Sequence, residues 1–197
     1  MPKSHKIMYA IYIVIWLLLA INPKYRQDWL LENVLIFIFF PIIIWLDMKY
    51  RFSFITIIML FIFTTLHTIG AHYTYAETPF FKPVMEFFSF DRNNYDRVVH
   101  FLFGLLLFRP ILEIITFYTQ KSRVTVIFTL SAIISIATLY ELLEWAAAVI
   151  FHPDLGMAFL GTQGDVWDAH KDTLAATIGG VINLFFYLKV DKCEEKV

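Results

Sequence analysis

Apolar residues run along this chain in long blocks separated by short charged loops, with no alternation of the kind that half-buried strands show. Six blocks, near residues 6–22, 30–47, 54–73, 98–118, 124–151 and 173–190, approach or reach the ~20 residues that a helix needs to cross a hydrocarbon core. The first is short and extends through Tyr9, Tyr12 and Trp16, aromatic residues suited to the membrane–water interface. Helices are expected because their backbone groups satisfy one another without water. The pattern predicts an all-α integral membrane bundle of about six transmembrane helices, organised as one domain over residues 1–197. Pro41 and Pro110 are expected kinks.

Composition sharpens that picture. The chain is 59% hydrophobic and 17% charged, against about half and a quarter for an ordinary soluble domain. It carries a formal net charge of −1 and no basic patch, which excludes nucleic acid as an expected partner and leaves membrane lipids as the expected surroundings. Cys193 is the only cysteine, so neither an internal disulfide nor a cysteine-cluster zinc site is available. The N-terminus has the basic start and apolar run of a signal peptide. However, Leu18-Leu19-Ala20-Ile21-Asn22 lacks the small-residue cleavage pattern, and the block reads as a retained first helix.

Loop lysines and arginines set the expected orientation. With the N-terminus cytoplasmic, nine fall inside and six outside, so both termini are expected in the cytoplasm. In that orientation four distant segments bring polar groups to the outer level. These are the end of the third block (His67, His72), the start of the fourth (Asp96, His100), the later half of the fifth (Glu141, Glu144) and the approach to the sixth (Asp165, Asp168, Asp172). Carboxylates at such depth are costly and usually mark function.

Asp165, Asp168 and Asp172 are spaced i, i+3, i+7 and share a stripe of about 60° if the last helix starts early enough. Otherwise they cap that helix and face water. Glu141 and Glu144 share a helix face. Crowded carboxylates need protons, a cation or basic partners. Glu141, Glu144, Asp165, Asp168, Asp172 and His72 are therefore candidate ligands of a divalent metal, with Mg, Ca or Mn suited to oxygen and Zn or Fe to added imidazole. His100 and His67 are candidate general bases, and Asp96, four residues before His100, either orients it or forms an ordinary helix-start pair with it. His67 and His72 are five apart and diverge by about 140° unless Gly70 breaks the helix. Arg109 and Glu113 read as a structural ion pair. Ala175, Ala176, Gly179 and Gly180 offer a small-residue face for close helix packing.

The Phe-rich loop 76–96 is too short and too interrupted to span, and it is expected to lie among lipid headgroups, as an anchor or as a lid. No H-E-x-x-H, G-x-S-x-G, Walker A or dinucleotide-binding signature occurs, and no organic-cofactor site is assigned.

Four stretches together carry a likeness to a known family: H-T-I-G-A-H-Y, Y-D-R-V-V-H-F-x-F-G, Y-E-L-L-E-W and G-T-Q-G-D-V-W-D-A-H-K-D. They resemble the YjdF-like bacterial inner-membrane proteins, a domain of unknown function, over roughly residues 30–190. The acidic pair followed by spaced aspartates is also similar, more loosely, to VanZ-like membrane proteins. The resemblance implies a multi-pass inner-membrane fold and supplies no reaction. Three readings stay open: a metal-dependent enzyme acting on a lipid or lipid-linked headgroup, a structural or binding component, and a proton- or cation-coupled transporter.

Overall fold

The computed structural model describes residues 1–150 and 162–194. Among these the chain forms seven α-helices: α1 (Lys3–Leu19), α2 (Arg26–Tyr50), α3 (Phe54–Tyr73), α4 (Lys82–Phe88), α5 (Tyr95–Tyr118), α6 (Arg123–Ile150) and α7 (Asp168–Glu194). One 3-10 turn, Pro79–Phe81, precedes α4. α2, α3, α5 and α6 are long and apolar enough to cross a membrane. α1 has 17 residues, and α7 opens on the charged turn Asp168, Lys171, Asp172. Phe151, the expected end of the fifth block, lies outside the described residues.

Several boundaries differ from the sequence reading. α5 begins at Tyr95, α7 at Asp168, and α2 runs from Arg26 to Tyr50 through Pro41. The hydrophobicity of the blocks fixes where helices can lie in lipid but not how far polar turns extend them. As a result Asp168 and Asp172 stand one turn apart on α7, while Asp165 belongs to the turn before it.

The bundle reverses the usual distribution of polarity. Large apolar side chains face outward, among them Phe37, Phe39 and Trp45 of α2 and Phe128, Leu139 and Leu143 of α6, while Asn33, Thr56, Thr68, Thr129 and Asp47 are fully enclosed. Lipid tails leave no hydrophobic drive between helices, so close packing and buried hydrogen bonds hold them together. α5 is the hub, packing against α3, α6 and most extensively α7. That last contact uses the small-residue face: Gly104 lies on the Ala176 carbonyl and Gly179 on the Phe101 carbonyl. The Asn183 amide also donates to the Leu105 carbonyl across the same seam.

Polar ties set the remaining helices. His5 and Tyr9 of α1 bond Asp47 of α2 at 2.9 and 3.2 Å, and the Tyr12 hydroxyl meets Thr68 of α3 at 3.0 Å. Glu113 accepts from Arg109 at 3.2 Å, as expected, and also from the Ser53 and Thr56 hydroxyls, so it caps α3 from α5. His5, Asp47, Ser53, Thr56 and Glu113 lie at the bundle end opposite the acidic cluster.

Candidate functional site

The site is assembled at the start of α7. Thr162 to Asp165 form a tight turn closed by the Asp165 N–H donating to the Thr162 carbonyl at 2.9 Å. Its central residues, Gln163 (φ 48°) and Gly164 (φ 87°), are both left-handed, which glycine supplies freely and glutamine adopts at a cost. Gln163 offsets that cost by gripping the Asn93 backbone. Its side-chain oxygen accepts from the Asn93 N–H and its amide donates to the Asn93 carbonyl, each at 2.9 Å. Asn93 in turn holds the Thr78 carbonyl at 3.1 Å and caps the Tyr95 N–H at 3.0 Å. The interfacial loop, the start of α5 and the acidic turn are thereby fixed to one residue.

Two arginines bridge these parts. Both terminal nitrogens of Arg92 reach the Asp168 carboxylate, and Nη1 also donates to the Thr162 carbonyl at 3.1 Å. Arg97 bonds Asp165 at 2.5 Å and Asp168 at 3.0 Å, with its Nε 3.7 Å from Asp172. Asp165 further pairs with Lys171 at 2.6 Å and accepts from the Trp167 N–H at 3.1 Å, so it also caps the turn into α7. Lys171 and then Arg97 hold its carboxyl well below the usual carboxylate range.

Behind the arginines lies a buried acidic set. One carboxylate oxygen from each of Asp96, Asp168 and Asp172 lies within 4.8 Å of the others, a grouping compatible with one ion. Asp172 is only 2% exposed, and its Oδ1 has no hydrogen-bond donor. His100 Nε2 stands 3.6 Å from Asp96 and 3.4 Å from Glu141, whose Oε1 is likewise buried without a donor. Glu144, one turn further along α6, is buried and pairs with Tyr140. Glu32 of α2, also buried, is an electrostatic neighbour of Asp96 and Glu144, and its Oε2 lacks a donor.

The structure thus brings together Asp96, His100, Glu141, Glu144, Asp165, Asp168 and Asp172. It separates the other two histidines from direct ligation. α3 continues through Gly70, so His67 and His72 diverge as their spacing predicts. His72 Nδ1 bonds the Leu19 carbonyl at 2.7 Å. His67 Nδ1 accepts from the Tyr75 hydroxyl at 2.5 Å and its Nε2 donates to the Glu32 carbonyl at 3.2 Å, which occupies both nitrogens. Burial, reinforced by Glu32 and Asp96, holds the Tyr75 phenol well above its ordinary value and keeps it a donor.

Arg92, Arg97, Gln163, Tyr75, Tyr140 and Glu32 carry no role in the sequence reading. Glu32 was open to discovery as a carboxylate inside an apolar block. The arginines carried only loop charge until the fold turned them inward.

Buried carboxylates on three packed helices, an arginine bridge and an apolar exterior define a multi-pass helical membrane protein with an enclosed acidic site at one face. The chain matches the DUF2238 family, described as a predicted membrane protein, over residues 4–192 and belongs to that family. It is 28% identical over 169 residues to the inner membrane protein YjdF of Escherichia coli (strain K12), covering 85% of this chain and 80% of that protein. No solved structure matches it.

Proposed function

We propose that this protein is a six-span inner-membrane enzyme that binds one divalent cation at Asp96, Asp168 and Asp172 and acts on a lipid or lipid-linked headgroup at the outer leaflet. Here α1 and α7 count as spans and both termini face the cytoplasm, in keeping with the loop-charge bias. The observation that carries the reading is the Asp172 Oδ1 atom. It is buried and has no hydrogen-bond donor, with Arg97 Nε 3.7 Å away, and one Asp172 carboxylate oxygen lies within 4.8 Å of oxygens from Asp96 and Asp168. A buried carboxylate oxygen with no hydrogen bond is disfavoured in a low-dielectric interior, and coordination to a cation resolves it.

His100 supplies the base in this reading. It lies against Glu141 and Asp96, so it can take a proton from an attacking water or hydroxyl while a carboxylate stabilises the resulting imidazolium. Arg92 and Arg97 hold Asp165 and Asp168 and keep the α5–α7 seam closed. The cation's own contribution is Lewis-acid polarisation of a phosphoryl or carbonyl oxygen.

A structural clamp is the competing reading, favoured by the saturation of Asp165 and Asp168 with arginine. It accounts for those two residues and leaves the buried oxygens of Asp172, Glu141 and Glu32 without a hydrogen-bond donor.

The test is reconstitution into vesicles made from bacterial polar lipids, incubation with Mg, Mn or Zn, and mass spectrometry of the lipids. A metal-dependent loss or transfer of a headgroup in wild type, absent from Asp172→Asn, is the expected result. Unchanged lipids with every metal would favour the clamp.

A further inference from the structure

Outside the acidic cluster, the loops around it show the same inversion of polarity as the spans. Between Asp165 and Asp168, whose carboxylates turn inward to Arg92 and Arg97, Val166 is 85% and Trp167 60% exposed. A loop facing water would turn such side chains the other way. In the segment before α5, Phe80 packs on Tyr95 at 5.4 Å and anchors one end. At the other end Phe87 is 80% exposed, Phe88 and Phe90 are also exposed, and the three rings pack along their own row, at 4.9 and 5.4 Å.

The two apolar patches are not independent. Gln163 and Arg92 bond the acidic turn to the end of the Phe segment, so both patches ride on one framework around the mouth of the site. Beneath them, past the exposed His170 and Lys171, the outward apolar surface resumes at Val98 of α5 and Leu174 of α7. Aromatic and apolar side chains that extend a lipid-facing belt beyond the helix ends match the headgroup–acyl boundary.

We propose that Phe87, Phe88, Phe90, Val166 and Trp167 form a rim inserted in the leaflet that faces the acidic site, and that phospholipids of that leaflet reach the site laterally. The rim sets the mouth at the depth of lipid phosphates, so a headgroup approaches the carboxylates without its tails leaving the bilayer. Lateral access to a cation rests on the function proposed above, whereas the depth of the rim does not.

The experiment places a nitroxide at Phe88→Cys and at Val166→Cys, each in a Cys193→Ser background, with Glu77→Cys as the aqueous control. Glu77 is paired with Lys24 on the same side. Proteins shown to be monodisperse are reconstituted into phosphatidylethanolamine–phosphatidylglycerol vesicles. Collision of the label with oxygen and with a water-soluble nickel chelate is then compared. Labels at 88 and 166 that favour oxygen several-fold over the chelate, with the reverse at 77, are the expected result. Labels at 88 and 166 as open to the chelate as the one at 77 would overturn the rim. Trp167→Cys replaces either variant that fails to fold. Mn²⁺ binding to the same vesicles is scored separately, so labels at lipid depth without bound Mn²⁺ would uphold the rim and sink the cation site.

Discussion

The side chain of Gln163 forms a two-way clamp on the backbone of Asn93, accepting from its N–H and donating to its carbonyl at 2.9 Å each. This is the contact that seats the aspartates around the start of α7 against Arg92 and Arg97 around the start of α5. Each such hydrogen bond contributes about 0.5–1.5 kcal/mol. Gln163→Ala is therefore expected to weaken the turn by about 1–3 kcal/mol, seen as faster hydrogen exchange at the Asp165 and Asp168 amides. Exchange unchanged at those amides would mean that the arginines alone hold the turn.

The α5–α7 seam predicts a graded series. A side chain at Gly179 meets the Phe101 backbone, which cannot turn aside. At Gly180 the nearest atom is the end of the Leu130 side chain, 2.8 Å from where a Cβ would sit. Overpacking costs about 1–3 kcal/mol, so Gly179→Ala should lower thermal stability in detergent well below that of Gly180→Ala. Equal melting temperatures would contradict the close seam.

The all-helical class was legible in the blocks, because a hydrophobic stretch of spanning length has few alternatives in lipid, although four of the six expected spans are long and apolar enough among the described residues. The cluster was legible at Asp96, His100, Glu141, Glu144, Asp168 and Asp172, because spans of alternating direction bring their ends to shared levels. Its internal chemistry was not legible. Arg97 follows Asp96 directly in sequence and yet turns to the other acids. Gln163 takes its role from a left-handed turn and a partner 70 residues away. Such contacts depend on the close approach of α5 and α7, which hydrophobicity alone does not specify.

The histidines should separate by role. His67 has both nitrogens engaged in bonds to Tyr75 and the Glu32 carbonyl. His67→Ala strands a buried hydroxyl and should cost about 1–3 kcal/mol of stability, while cation stoichiometry stays at the wild-type value. His100→Gln should abolish lipid turnover with the fold intact. A loss of bound metal in His67→Ala, in a protein that melts like wild type, would place His67 among the ligands.

Acid should loosen the turn before α7. Lys171 and Arg97 hold Asp165 below its ordinary range, so its pairing supports the fold above that range, near pH 4. The support is lost as pH falls through the depressed value. Wild type should lose stability on acidification below about pH 4 more steeply than Asp165→Asn, measured as melting temperature against pH. Parallel curves would show that Asp165 has no linked proton.

The central claim, a cation held by Asp96, Asp168 and Asp172, is tested most directly by titrating Mn²⁺ into the purified protein and following free Mn²⁺ by electron paramagnetic resonance. Wild type should take up one equivalent, Asp172→Asn much less, and Glu113→Gln, at the opposite end of the bundle, the wild-type amount. Equal uptake by wild type and Asp172→Asn, or none by either with Mg and Zn also failing to bind, would contradict the account.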